Sequence, residues 1–153
     1  MSINSKKLAN MLLIDDSLAE IVLSKAAFRR DHIYLNFSTV QGGEEALRYL
    51  SRGSGFEDSP VPDIILLDLN MPDMDGKEVL SYIRQDKSLH DIPVFIYSGS
   101  EAEQDIEEAK ELGATHYMVK PINYDKLSAA IEHVELLNFF KEGEDNYLIC
   151  ERT

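Results

Sequence analysis

Five times along the chain a short apolar run gives way to a polar junction and then to a helical pattern. Met11-Leu12-Leu13-Ile14 stops at Asp15-Asp16, and Ser17 is placed to cap a helix carried by Leu18, Ile21, Val22, Lys25 and Ala26. Ile33 to Phe37 is a second strand, and Gly42-Gly43 precedes a helix bearing Ala46, Leu47 and Leu50. Ser51 to Pro62 holds Gly53, Gly55, Pro60 and Pro62, so it reads as a surface insertion longer than the usual α/β connection.

Ile64-Ile65-Leu66-Leu67 is continuously apolar, as in a strand covered on both faces, and it ends at Asp68. A helix with Glu78, Val79, Leu80, Tyr82 and Ile83 follows Gly76, and Ile92 to Tyr97 is a fourth strand that ends at Ser98-Gly99-Ser100. Glu101 to Leu112 is helical with Gly113 as its stop, and Thr115 to Val119 is a fifth strand. Asn123 caps a last helix expected to reach about Phe139. Repeated strand-helix alternation requires right-handed crossovers, which predicts an α/β, doubly wound, five-stranded parallel sheet with helices on both faces. In such sheets the ligand crevice lies beyond the carboxyl ends of the strands. The residues just past the first, third, fourth and fifth strands are Asp15-Asp16, Asp68, Ser98 and Lys120, all polar and chemically useful.

Length and composition narrow the picture further. A chain of 153 residues, 44% apolar and 28% charged, suits one globular domain with one core. We expect that domain at residues 9–140, between an N-terminal extension at 1–8 and an acidic C-terminal tail at 141–153. No apolar run approaches the roughly 20 residues that span a bilayer, and Met1 to Lys7 is polar, so no membrane association and a cytoplasmic location are expected. Cys150 is the single cysteine, which excludes an intramolecular disulfide. A formal charge of −13 repels phosphate backbones and argues against direct nucleic-acid binding.

Three carboxylates at one strand edge repel one another, by roughly 3 kcal/mol per pair at about 5 Å and an effective dielectric near 20. Lys120 supplies one compensating charge. A hard divalent cation with oxygen ligands is the natural second, and Mg2+ suits few carboxylates, several waters and an incoming phosphate. Asp16 and Asp68 are candidate direct ligands, with Asp15 binding directly or through water. A carboxylate held against Mg2+ is a competent nucleophile toward a phosphoryl donor. Asp68 is the best candidate, because it stands alone at the end of the most apolar strand. Lys120 and the Ser98 hydroxyl are placed to take phosphoryl oxygens.

At these residues the sequence resembles the receiver domain of two-component response regulators, the family that includes CheY. The resemblance covers about residues 9–138 and rests on Ile14-Asp15-Asp16-Ser17, the stretch Leu67 to Gly76, Tyr97-Ser98-Gly99 and Tyr117-Met118-Val119-Lys120-Pro121. It implies the flavodoxin-like strand order 2-1-3-4-5. It makes Asp15 and Asp16 the acid pair for Mg2+, Asp68 the phosphoacceptor and a ligand, and Asn70 a ligand through its backbone carbonyl. It makes Ser98 and Tyr117 the switch residues and Lys120 the cationic partner of the phosphate, followed by a cis Lys120-Pro121 bond. Ser98 stands where Thr is commoner, a change the family accepts. The long Ser51 to Pro62 loop resembles that of receivers paired with phytochrome-type kinases.

Rival readings fit less well. Asp73-Met74-Asp75-Gly76 resembles the nucleophile motif of haloacid-dehalogenase-type phosphatases, but that chemistry needs its first Asp directly at a strand end, and the apolar run here finishes at Asp68. An EF-hand loop ending at Gly76 would need an acid at Met71. No Gly-Lys-Ser/Thr phosphate loop occurs, and His32, His90, His116 and His133 lack metal spacing.

The expected function is that of a single-domain response regulator, a phosphoacceptor signalling protein rather than a conventional enzyme. It would take its phosphoryl group from a cognate sensor histidine kinase, or from a phosphotransfer protein or small phosphodonor, and later release it. Residues 140–153 are too few for an effector domain, so the output is expected to be binding of a partner protein or homodimerisation. Two alternatives are a phosphorylation-independent interaction module and a phosphate sink.

Overall fold

The computed structural model describes residues 7–151. Most of the expected N-terminal extension, and Arg152 and Thr153 of the expected tail, lie outside the described residues. The order of elements is β1 (Asn10–Ile14), α1 (Leu18–Arg30), β2 (Ile33–Tyr34), β3 (Asn36–Val40), α2 (Gly43–Leu50) and β4 (Ile64–Asp68). It continues with α3 (Gly76–Gln85), β5 (Val94–Ser98), α4 (Glu103–Glu111), β6 (His116–Val119), α5 (Tyr124–Ile131), β7 (Leu137–Glu142) and β8 (Asp145–Cys150). Five strands form one sheet in the order β3-β1-β4-β5-β6, with every neighbouring pair parallel. Leaving aside the two-residue β2, this is the doubly wound order 2-1-3-4-5.

Side chains alternate across this sheet with the period of two that a pleated strand imposes. Met11, Leu13, Ile64, Leu66, Phe95, Tyr97 and Met118 pack on one face with Ile21 and Phe28 of α1 and Leu127 and Ile131 of α5. Leu12, Ile14, Ile65, Leu67, Val94 and Ile96 pack on the other with Ala46 and Leu50 of α2, Val79, Leu80 and Ile83 of α3, and Ala109 of α4. β1 and β4 are buried on both faces, which is why their sequences read as unbroken apolar runs.

Helix boundaries follow their caps. Ser17 caps α1 by accepting the Glu20 N–H at 3.3 Å, Asp75 caps α3 by accepting from Lys77 at 3.0 Å, and Asn123 caps α5 by accepting from Lys126 at 2.8 Å. The loop before β4 is irregular, as its glycines and prolines dictate. Tyr49 Oη donates to the Pro60 carbonyl at 3.0 Å and its ring packs, tilted by 52°, 5.2 Å from that of Phe56, tying the loop down onto α2.

Two expectations differ from the structure. The second strand breaks at Leu35 into β2, which joins another sheet, and β3, which runs on to Val40. The last helix ends at Ile131 rather than near Phe139, and the segment expected as helix end and acidic tail forms the hairpin β7-β8. Residue 140, expected to end the domain, lies within β7. The hairpin turn is Gly143-Glu144, with Gly143 at φ 62, the left-handed backbone that a two-residue connection demands of its first position. Alternation of apolar residues continues through this segment with period two. Leu137, Leu148 and Cys150 enter the core beneath α1 and α5, and Phe139 lies 5.0 Å from the Tyr124 ring at the start of α5. β8 also pairs with β2, and Leu8 bridges Ile149. Burial of these side chains outweighs the weak helical preference of the stretch.

Among the described residues no helix is long and apolar enough to cross a membrane. Because Leu148 is fully buried, Leu148→Ala is expected to lower the unfolding free energy by about 2–5 kcal/mol. Urea denaturation checks this; a loss under about 0.5 kcal/mol would mark a surface position.

Candidate functional site

Register brings the site together. β1, β4, β5 and β6 lie side by side and parallel, pairing Ile14 with Leu67, Asp68 with Tyr97, and Ser98 with Val119, so their carboxyl ends finish at one level. Asp15 follows β1, Asp68 and Ser98 are the last residues of β4 and β5, and Lys120 follows β6. The Lys120 backbone N–H donates to the Ser98 carbonyl at 2.8 Å, which fixes where the lysine leaves the sheet. Gly76, at the first turn of α3, passes so close to β4 that a Cβ there would sit 2.4 Å from the Asp68 carbonyl oxygen and 2.8 Å from Leu69 Cα.

One carboxylate oxygen from each of Asp15, Asp16 and Asp68 lies within 4.8 Å of the other two, and among the described residues no other grouping of His, Cys, Asp and Glu has such geometry. Asp15, Asp68 and Ser98 are buried, while Asp16 is half-buried. Lys120 Nζ stands 3.5 Å from Asp15 Oδ2, 3.5 Å from Asp68 Oδ1 and 3.0 Å from Glu20 Oε1. Burial pushes the Asp68 carboxyl up to about 6, against the pull of Lys120 and with the repulsion of Asp15. Burial also raises Asp16, reinforced by Asp15 and Glu20. For Lys120, burial alone would lower the ammonium; the bond to Glu20 and the charges of Asp68 and Asp15 prevail and hold it above the usual lysine range.

The hydroxyl side of the site is a chain of hydrogen bonds. Ser98 Oγ accepts from the Asn70 side-chain amide at 3.4 Å and from the Ser100 N–H at 3.1 Å, while the Asn70 N–H donates to Asp68 Oδ1 at 3.4 Å. Tyr117 Oη donates to the Ser100 carbonyl at 2.9 Å, and Ser100 Oγ donates to Asp105 at 2.7 Å. Asp105 also faces Lys77, which pairs with Glu108, so the strand that carries Ser98 is linked to α3 and α4. The Lys120-Pro121 peptide bond is cis.

Two residues in this site were not legible as functional. Tyr97 reads as one more apolar strand residue, but its hydroxyl donates to Asp15 Oδ2 and its ring lies 4.6 Å from Lys120 Nζ. Burial and the Asp15 hydrogen bond raise its phenol far above the ordinary range, so it acts only as a donor to that carboxylate. Glu20 reads as a helix-start acid, yet it makes the shortest of the lysine's ion pairs.

Chemically, three converging carboxylates with a single lysine leave an uncompensated negative charge. Oxygen-only donors crowded into that space are the donor set of a hard divalent cation. The residues therefore fit a Mg2+ or Mn2+ ion far better than a thiophilic metal.

The profile of the response regulator receiver domain family matches residues 11–132. The chain belongs to this family. The receiver is 34% identical over 125 residues, 82% of its length and 85% of the relative's, to response regulator Rcp1 of Synechocystis sp.. Among solved structures, the bacteriophytochrome response regulator RtBRR is 34% identical with a TM-score of 0.73, the match covering 83% of this chain and 78% of that one. The phosphorylated cyanobacterial phytochrome response regulator RcpA is 36% identical with a TM-score of 0.69, over 78% and 86% of the two chains. A Mn2+-bound form of Rcp1 gives 33% identity and a TM-score of 0.68, over 82% and 93%. The receiver is thus similar to the phytochrome-associated members of a two-component signalling family whose response regulators interact with histidine kinases or phosphodonors.

Since Gly76 admits no Cβ without moving the end of β4, Gly76→Ala in this receiver is expected to cost roughly 1–3 kcal/mol of stability, as overpacking against fixed backbone does. A urea midpoint unchanged from the wild type would show that the Asp68 backbone yields freely.

Proposed function

We propose that this receiver accepts a phosphoryl group on Asp68 with the help of Mg2+, changes conformation, and in that state engages a partner protein or a second copy. The observation that carries the reading is a buried carboxylate at the end of a central strand, with two acids within 4.8 Å and an ammonium at 3.5 Å. Mg2+, held by Asp15, Asp16, Asp68 and the Asn70 backbone carbonyl, would supply positive charge to the phosphoryl oxygens.

The remaining work falls to the chain's own groups. An Asp68 oxygen attacks phosphorus, and the bond from phosphorus to the donor's imidazole nitrogen or acyl oxygen breaks, its electron pair leaving with the donor. Lys120 donates to one phosphoryl oxygen and the Ser98 hydroxyl to another, while Ser98 Oγ goes on accepting from the Ser100 N–H. Movement of Ser98 pulls on the Ser100 backbone, to which Tyr117 is bonded, so the Tyr117 ring is the element that reports the change to the surface beside α4. Water attack on the same phosphorus later returns Asp68 to the carboxylate.

The proposed donor is a histidine kinase, with a phytochrome-type kinase first in line given the relatives' names, or else a phosphotransfer protein or small acyl phosphate. We place this exchange in the cytoplasm. The functional unit runs from residue 9 through at least residue 140, with the hairpin closing its core.

Asp68→Asn is expected to abolish phosphoryl uptake from acetyl phosphate while leaving the circular dichroism spectrum intact; labelling that persists in this variant would refute the assignment. Asp16→Ala is expected to weaken Mg2+ binding by about tenfold or more. Calorimetric titration checks it, and an unchanged affinity removes Asp16 from the cation site.

A further inference from the structure

Glu20 takes no part in the proposed phosphoryl chemistry, yet it holds the lysine on which that chemistry depends. Ser17 caps α1, so Glu20 is the third helical residue, the position from which a glutamate ordinarily reaches back to the N–H of its own cap. Here that N–H is already taken, because Ser17 N donates to Asp15 Oδ1 at 3.0 Å. Only the Glu20 backbone serves the cap, donating to Ser17 Oγ at 3.3 Å. The carboxylate is left to turn outward along the site and accept from Lys120 Nζ at 3.0 Å.

That distance is a direct hydrogen bond, whereas 3.5 Å to Asp15 and to Asp68 lies beyond the usual N–H···O range. The Tyr97 ring at 4.6 Å supports the ammonium from another side. In the resting molecule Lys120 is therefore bonded to Glu20, and Asp68 receives only its charge.

We propose that Glu20 is a positioning residue that holds Lys120 back from Asp68, so that phosphoryl uptake requires the ammonium to exchange the Glu20 carboxylate for a phosphoryl oxygen. Glu20 thereby sets the threshold for phosphorylation. This rests on Asp68 being the phosphoacceptor. The Glu20 side chain is 42% exposed, so solvent screening keeps the effect to about two- to fivefold in rate.

A holding contact and a simple repulsive field make different demands on the side chain. Glu20→Gln removes the charge and weakens the hold. Glu20→Asp keeps the charge but is one methylene too short to keep the bond. The test is the initial rate of Asp68 labelling by acetyl phosphate at saturating Mg2+, for the full chain and both variants, with Mg2+ affinity measured by calorimetry on each.

Both variants are expected to label about two- to fivefold faster than the wild type, with Mg2+ affinity nearly unchanged. Merely loosening α1 would slow labelling instead. Acceleration in Glu20→Gln with wild-type rates in Glu20→Asp would overturn the holding role in favour of a plain field. Unchanged or slower labelling in both would also overturn it, as would a collapse of Mg2+ affinity in both, which would make Glu20 part of the cation site. A wild-type chain that takes no label on Asp68 has a separate signature: it sinks the phosphoacceptor reading itself, and the role of Glu20 with it.

Discussion

The structure turns on mutual repulsion among three carboxylates that the parallel register of β1 and β4 forces to within 4.8 Å of one another. A folded chain tolerates such crowding only where something offsets it. The protein offers one ammonium, Lys120, and two hydrogen-bond donors to Asp15, the Ser17 N–H and the Tyr97 hydroxyl. Burial, against the pull of Lys120 and with the repulsion of Asp15 behind it, raises the Asp68 carboxyl to about 6. A site strained in this way responds strongly to any added charge, which is the property a switch requires.

The sheet makes that strain affordable. Strands β1 and β4 are buried on both faces, and the two apolar clusters clamp them between helices, so their ends cannot separate to relieve the repulsion. Gly76 adds a further restraint by letting α3 approach the Asp68 carbonyl more closely than any side chain would permit. Around this fixed centre the polar groups are arranged in two directions. Lys120 connects the site to α1 through Glu20, and Ser98 connects it to α4 through Ser100 and Asp105. Rigid strands with adjustable polar links suit the proposed conformational change.

Much of this was legible along the chain because its causes are local. Ser17 and Asn123 act through bonds to residues three positions on, and Gly113 takes the positive φ expected of a helix stop. The acids and the lysine were recognisable because each ends an apolar run, and parallel strands in one sheet finish together. The hairpin is hidden in the sequence because Val134, Leu136, Leu137, Phe139 and Phe140 satisfy a helical pattern about as well as an extended one. Its turn residues, Gly143-Glu144, are a hairpin signal only once the flanking residues are taken as strands.

The sequence by itself determined the alternation of elements, the doubly wound class, and which polar residues stand at the strand ends, since all three follow from periodicity and chain order. Tertiary structure alone decided the partners. Whether Glu20 closes its cap or turns to Lys120 depends on Asp15 having claimed the Ser17 N–H, and whether Tyr97 is packing or a donor depends on how near β5 brings it to Asp15. Whether residues 137–150 finish a helix and run on as a tail or pair as strands depends on core space beneath α1 and α5. These outcomes are set by contacts between residues far apart in the chain, whose energies no local pattern contains.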